Sequence, residues 1–137
     1  MKIFIIGLFA VDRLLKLHFV STGTYILNRG IAFGVISANP ELVIVSHFLL
    51  TSLLIYYLYK TRLDNLAKNS IFLIISGSIS NLIDRFMYNG VVDYISLWIF
   101  PKFNLADIMV VLGVLLLIFL ELNEYYKNVQ SRRNRRG

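Results

Sequence analysis

The chain has 137 residues, and 57% of them are apolar, against about 45–50% in ordinary soluble proteins. Only 16% are charged, the mean hydropathy is +0.67 and cysteine is absent, which excludes a disordered chain, disulfides, thiolate catalysis and cysteine-based zinc sites. The net charge of +6 misleads: Arg132, Arg133, Arg135 and Arg136 crowd the last six positions, so the excess marks a basic flank beside a membrane rather than a nucleic-acid site.

Four apolar stretches follow in chain order, at about 3–20, 42–59, 70–86 and 106–122. As helices of ~17–20 residues, rising 1.5 Å per residue, each is long enough to cross a bilayer. The first is interrupted by Asp12, Arg13 and Lys16. A cleaved signal peptide needs an uncharged apolar centre and a small-residue cleavage site, so this stretch reads as a retained helix. The second has no charge for 18 residues. Between them, residues 21–40 mix Thr, Tyr, Ile and Gly without helical periodicity, which suits a short strand or two. The expected architecture is an all-α membrane protein of four transmembrane helices with a small extracytoplasmic β element, in one domain over 1–137, ending in a basic tail at 127–137.

Orientation follows from the basic residues. Lys60, Arg62 and Lys68 lie between stretches two and three, and Lys127 and the arginines lie in the tail. The links 21–40 and 87–105 hold only Arg29 and Lys102. Both termini are therefore expected inside, and those two links outside. Tyr56, Tyr57, Tyr59, Tyr125 and Tyr126 fit an inner aromatic belt, and Tyr94, Trp98, Phe100 and Phe103 an outer one. Residues 94–103 are too short to span and very apolar, so they are expected in the interface.

Ionisable groups inside a membrane helix cost roughly 2.5–3.5 kcal/mol each on insertion scales, and they persist where they pair or work. In the third stretch Gly77, Asn81, Asp84 and Arg85 fall on one helical face, with Phe72, Ile75, Ile79, Leu82 and Phe86 on the other. The polar face points into the bundle, either as a wall of an active site or as a polar clamp among Asn81, Asp84 and Arg85. Asp107 opens the fourth stretch three residues after Asn104, which is a helix-capping pattern as well as a candidate site. Asp93 sits in the outer link between Val92 and Tyr94, an apolar setting for a loop carboxylate. Two carboxylates on one side of a membrane suggest acid–base chemistry: one ionised to take a proton from water, one neutral to donate a hydrogen bond.

Weaker constellations remain. Asp12 and Lys16, four apart, suit a structural ion pair. Gly30 and Gly34, in the run from Asn28 to Gly34, allow a tight turn or a close backbone approach. His47 and Thr51 read as packed and hydrogen-bonded. Ser76, Ser78 and Ser80 read as helix-packing contacts, with no lysine obviously near for a Ser/Lys mechanism. The two histidines lack metal-ligand spacing, so neither metal nor cofactor is expected.

The motifs Asp12-Arg-Leu-Leu-Lys16, Asn28-Arg-Gly-Ile-Ala-Phe33, Gly77-Ser-Ile-Ser-Asn81-Leu-Ile-Asp84-Arg85, Val91-Val-Asp93-Tyr and Phe103-Asn104-Leu-Ala106-Asp107 stand in that order. Together they resemble lipoprotein signal peptidase, the signal peptidase II family. The resemblance implies a multi-pass aspartyl endopeptidase of the bacterial inner membrane, with its site at the outer surface. It cuts signal peptides from prolipoproteins just before a diacylglyceryl-modified cysteine. Asp93 and Asp107 match the catalytic aspartates. Asn28, Gly30, Ala32, Asn81, Asp84, Arg85, Asn104 and Ala106 match positions that support the site or bind substrate, and Asp12 and Lys16 match structural ones. The implied partners are the lipid-modified prolipoprotein, membrane lipids and globomycin-type inhibitors, with no nucleic acid. The segment from Asp93 to Asp107 is compact, so the outer cradle is expected to be trimmed. The rival class is a proton-coupled transporter with Asp12, Asp84 and Asp107 as a relay, but the chain shows neither repeats nor broken helices.

Overall fold

The computed structural model describes residues 1–30, 39–61 and 63–134. Four helices alternate with two short strands: α1 (Lys2–Thr22), β1 (Ile26–Asn28), α2 (Pro40–Lys60), α3 (Asn65–Tyr88), β2 (Val91–Asp93) and α4 (Leu105–Asn134). Local chemistry fixes the boundaries. Gly23 ends α1 in the left-handed conformation, with φ 68°. The Asn39 side chain accepts from the Glu41 N–H and opens α2, with proline next in line. Asp64 caps α3 through the Ala67 N–H, and Asn89, also left-handed, ends it. These caps start α3 five residues before the expected apolar stretch. α4 runs on to Asn134 although apolar residues thin out after Leu122, because Glu124, Lys127, Gln130 and Arg132 are good helix formers that extend a helix already nucleated by its apolar part.

β1 and β2 pair antiparallel, Ile26 opposite Asp93, Leu27 opposite Val92 and Asn28 opposite Val91. This ribbon joins the end of α1 to the end of α3, at the end of the bundle where α4 begins. Gly90, just before β2, permits that pairing: a Cβ there would stand 2.8 Å from Leu27 Cγ.

The burial pattern is that of a soluble protein turned inside out. The largest fully buried side chains include Lys16, Asp12, Asp84, Asp93 and Asn104, while Leu49, Leu53, Phe48, Leu115 and Phe119 are exposed. Water would not tolerate so wide an apolar exterior; lipid would. Three helices, over Glu41–Lys60, Asn65–Tyr88 and Leu105–Arg132, are long and apolar enough to cross a membrane. The expectation of four apolar spans is thus met for three of the four helices. α1 has the length, 21 residues, but Asp12, Arg13 and Lys16 in its middle keep it from matching on composition.

α3 is the centre of the bundle and packs on α1, α2 and α4. Its two-faced reading needs correction: Ile75 and Leu82, expected on the face away from the bundle, are buried, whereas Phe86 is exposed. A helix with neighbours on three sides has little lipid face left. α3 and α4 approach closely where small residues meet. A Cβ on Gly77 would lie 2.4 Å from the Ala106 carbonyl oxygen, and one on Gly113 would lie 2.7 Å from the Ser70 carbonyl oxygen. Gly77→Ala is therefore expected to destabilise the detergent-solubilised protein by about 1–3 kcal/mol, the usual range for overpacking. Thermal unfolding beside Gly7→Ala, where nothing lies within 4 Å, checks this; equal stability of the two variants contradicts the close crossing.

Candidate active site

α4 begins among groups that satisfy each of its first free N–H donors. Leu105 N–H donates to the Tyr94 hydroxyl (3.1 Å), Ala106 N–H to Asp12 Oδ1 (3.0 Å) and Asp107 N–H to Asn104 Oδ1 (2.9 Å). The Asn104 N–H returns a bond to Asp107 Oδ2 (3.1 Å), closing a capping box. Capping and site membership, read as alternatives for Asp107, coincide: its other oxygen, Oδ1, accepts from Asn81 Nδ2 at 2.8 Å.

Asp93, at the end of β2, is held in the same way. Its Oδ1 accepts from Asn104 Nδ2 (2.7 Å) and its Oδ2 from Asn28 Nδ2 (2.9 Å). Asn104 therefore joins the two carboxylates. Each aspartate has one donor on each oxygen, which leaves further lone pairs free for a water or a substrate. The three asparagines are themselves oriented, because each amide oxygen meets a donor that its NH₂ cannot replace. Gly30 N–H points at Asn28 Oδ1 (3.1 Å), Lys16 Nζ at Asn81 Oδ1 (2.8 Å) and Asp107 N–H at Asn104 Oδ1. Each NH₂ is thereby turned onto a carboxylate.

Behind Asn81 lies a buried charge cluster. Asp84 binds Arg13 Nη1 at 2.5 Å and Lys16 Nζ at 2.7 Å, and accepts from the Val92 N–H at 3.1 Å. Asp12 lies 3.3 Å from Lys16 and accepts from Ser80 Oγ and the Tyr94 hydroxyl. Two acids and two bases balance. Asp84 thus anchors β2 to α1 and α3, and pairs with Arg13 and Lys16 rather than with the adjacent Arg85. The expectation of no lysine near the serines also fails: Lys16 Nζ is 3.5 Å from Ser80 Oγ, although both residues are fully buried. Tyr94 is not a lipid-facing belt residue. It stacks on Phe19 with ring centroids 4.8 Å apart, and burial and the Asp12 carboxylate hold its hydroxyl proton on well above the usual phenol range, so it stays a donor.

The aspartates open onto a cleft of about 300 Å³ lined also by Asn28, Gly30, His47, Ser78, Asn81 and Arg85. Asp84, Asp12 and Lys16 stand behind its wall. Ala32, expected near the site, lies outside the described residues. An apolar groove of about 410 Å³ between α2 and α3, lined by Val43, Leu50, Leu54 and Ile74, shares His47, Ser78, Arg85 and Val110 with the cleft. His47 is the addition that sequence reasoning missed as a site residue: its Nδ1 meets Arg85 Nη1 at 3.0 Å. Burial is the main force pushing the Asp93 carboxyl up to about 6; the Asn28 hydrogen bond opposes it, and the Asp107 charge adds to it. Among the described residues no group of three metal-ligating side chains converges.

A bundle with charges inside and leucines outside, ending in a polar cleft that holds two aspartates, has the build of a membrane-embedded enzyme. Residues 2–123 match the family model of signal peptidase (SPase) II. A lipoprotein signal peptidase of Halothermothrix orenii is 47% identical over 95 residues, covering 69% of this chain and 66% of that protein. One of Caldicellulosiruptor bescii is 43% identical over 101 residues, covering 74% and 67%. A bacterial membrane enzyme solved by the in meso method at 2.3 Å resolution superposes with a TM-score of 0.82 at 26% identity, over 90% of this chain and 88% of that one. The chain belongs to the signal peptidase II family, a family of proteases.

Proposed function

We propose that this chain is a membrane aspartyl endopeptidase that removes signal peptides from diacylglyceryl-modified prolipoproteins, cutting before the lipidated cysteine, with Asp93 and Asp107 as its catalytic pair. The observation that carries the reading is the symmetric mounting of two carboxylates, bridged by Asn104, at the polar end of an apolar body. Family membership supports the substrate class. The matched stretches span about two thirds of those relatives' length.

In this mechanism the pair holds one proton, which belongs to both carboxyls. The ionised carboxylate takes a proton from a water in the cleft while the protonated one donates to the scissile carbonyl. Water adds to the carbonyl carbon, and the resulting tetrahedral species breaks down as a carboxyl returns a proton to the leaving amine. Arg85, held between Asn81 O and His47, offers its remaining N–H groups to substrate carbonyls, and Asn28 and Gly30 border the path of the peptide. The apolar groove that shares His47 and Arg85 suits the substrate's apolar part. α1 serves as a fourth span, since its charges are paired inside the bundle and need not meet lipid. Both termini are then cytoplasmic, the chain sits in the bacterial inner membrane, and the cleft lies at its outer surface, where the scissile bond of such a substrate lies. Globomycin-type inhibitors occupy the same cleft.

The test is a gel-shift cleavage assay on a diacylglyceryl-modified prolipoprotein with the purified protein in detergent. Processing of this substrate but not of its unlipidated form supports the reading; no processing by folded protein overturns it. The pH profile adds a sign. The Asp93 carboxyl sits at about 6, so the proton the pair needs is lost as pH rises through that value, and kcat/KM falls on the alkaline side. Asn28→Ala removes a hydrogen bond that favours the ionised form, so the alkaline limb is expected to move to higher pH. An unmoved limb, or one moved to lower pH, contradicts the assignment of that limb to the aspartate pair.

A further inference from the structure

The segment that links the two aspartates carries an apolar tip. Trp98 is 105% exposed and Ile99 84%, with Leu97 and Phe100 also exposed. The tip is built, not loose. Phe100 N–H closes a turn on the Leu97 carbonyl (2.9 Å), and the base is pinned by Ile95 N–H to Phe103 O (2.8 Å) and Phe103 N–H to Ile95 O (3.1 Å). Tight turns ordinarily present Gly, Asn, Asp or Ser to water, and four consecutive exposed apolar residues at a turn are unfavourable there unless something covers them. Asp93 lies two residues before this base and Asn104 one residue after it, so the tip is a short, hydrogen-bonded arm projecting from the aspartate pair.

We propose that the Leu97–Phe100 tip seats at the boundary between headgroups and hydrocarbon, in the leaflet nearest the cleft, and that this seating fixes the height of the aspartate pair in the bilayer. The occupant is lipid for three reasons. The rest of this chain's exterior is already apolar over α2 and α4, so a bilayer surrounds the arm. Tryptophan prefers the interface, where its ring is dry and its N–H wet, and Lys102 follows the tip to meet headgroups. Depth is bounded as well: the Trp98 and Ile99 N–H groups have no backbone partner among the described residues, so the turn needs the water of the interface and cannot enter the hydrocarbon. The seating rests only on the chain being membrane-embedded; its consequence for cleavage rests on the peptidase reading.

Trp98 is the chain's single tryptophan, so the unmodified full chain carries its own probe. In phosphatidylcholine–phosphatidylglycerol vesicles, its fluorescence is expected to be blue-shifted, quenched most by lipids brominated near the headgroup, and shielded from aqueous iodide. Quenching by iodide with none by brominated lipid overturns the proposal. So does quenching greatest at the bilayer centre, and so does shielding that disappears as the chain is diluted in lipid, which would mark a second copy as the cover. The measurement needs no catalysis, so it stays readable if the peptidase reading fails. If the tip sets the height of the aspartate pair, Trp98→Ser with Phe100→Ser is expected to lower kcat/KM several-fold in vesicles and to leave it nearly unchanged in detergent micelles, where no fixed bilayer height exists. Equal loss in both media overturns the height-setting role.

Discussion

Asp93→Asn and Asp107→Asn are each expected to abolish prolipoprotein cleavage while leaving the protein folded and inserted. The amide keeps the size of the carboxyl but can neither take a proton from water nor share one with its neighbour. General acid–base groups contribute ~10²–10⁴-fold each, and members of a unit that work together fail together, so neither single variant retains useful turnover. Folding should survive for a reason visible in the hydrogen bonds. Asp93 accepts from Asn28 and Asn104, and an amide in its place sets one NH₂ against another, at about 1–3 kcal/mol for the bond left unmade. The same change removes a carboxylate that burial disfavours, which offsets part of that loss. Gel-shift cleavage together with thermal unfolding in detergent separates the two effects. Normal turnover in either variant contradicts the aspartate pair.

Much of the architecture was legible because membranes enforce simple rules. Apolar length gave the helices and their order, and the capping chemistry at Asn104 and Asp107 gave the start of α4. What stayed illegible was mostly long-range pairing. Asp84 and Arg85 are neighbours in sequence, which invited a clamp between them, yet adjacent helical residues point to different sides. Asp84 therefore meets Arg13 and Lys16 on α1, and Arg85 meets His47 on α2. The only local hint for His47 was a polar ring in an otherwise nearly apolar run, and that hint fits packing equally well. The lysine beside Ser80 comes from α1, 64 residues away. Ile75 and Leu82 looked as suited to lipid as to a core, and only the central place of α3 among three helices decides between them. The aspartates themselves were legible as motif residues, but the asparagine amides that aim at them needed coordinates, since a sequence does not say which way an amide faces.

That orientation is the most testable part of the design, and Lys16 is where to test it. Lys16 both balances Asp12 and Asp84 and donates to Asn81 Oδ1. Lys16→Met leaves two buried carboxylates with Arg13 alone, a broken buried ion cluster of the kind that costs about 3–5 kcal/mol, and thermal stability in detergent should drop accordingly. It also frees the Asn81 amide to turn, so Asp107 loses its fixed donor. The two consequences separate in a double variant. Asp12→Asn on the Lys16→Met background restores charge balance, and the new amide still has an oxygen for the Tyr94 hydroxyl and the Ala106 N–H and an NH₂ for Ser80. Stability is therefore expected to return while cleavage stays low, because nothing in the double variant holds Asn81. If stability and cleavage recover together, Lys16 is a structural counter-ion only. If stability returns and cleavage stays low, Lys16 positions the catalytic pair through Asn81 without touching the substrate.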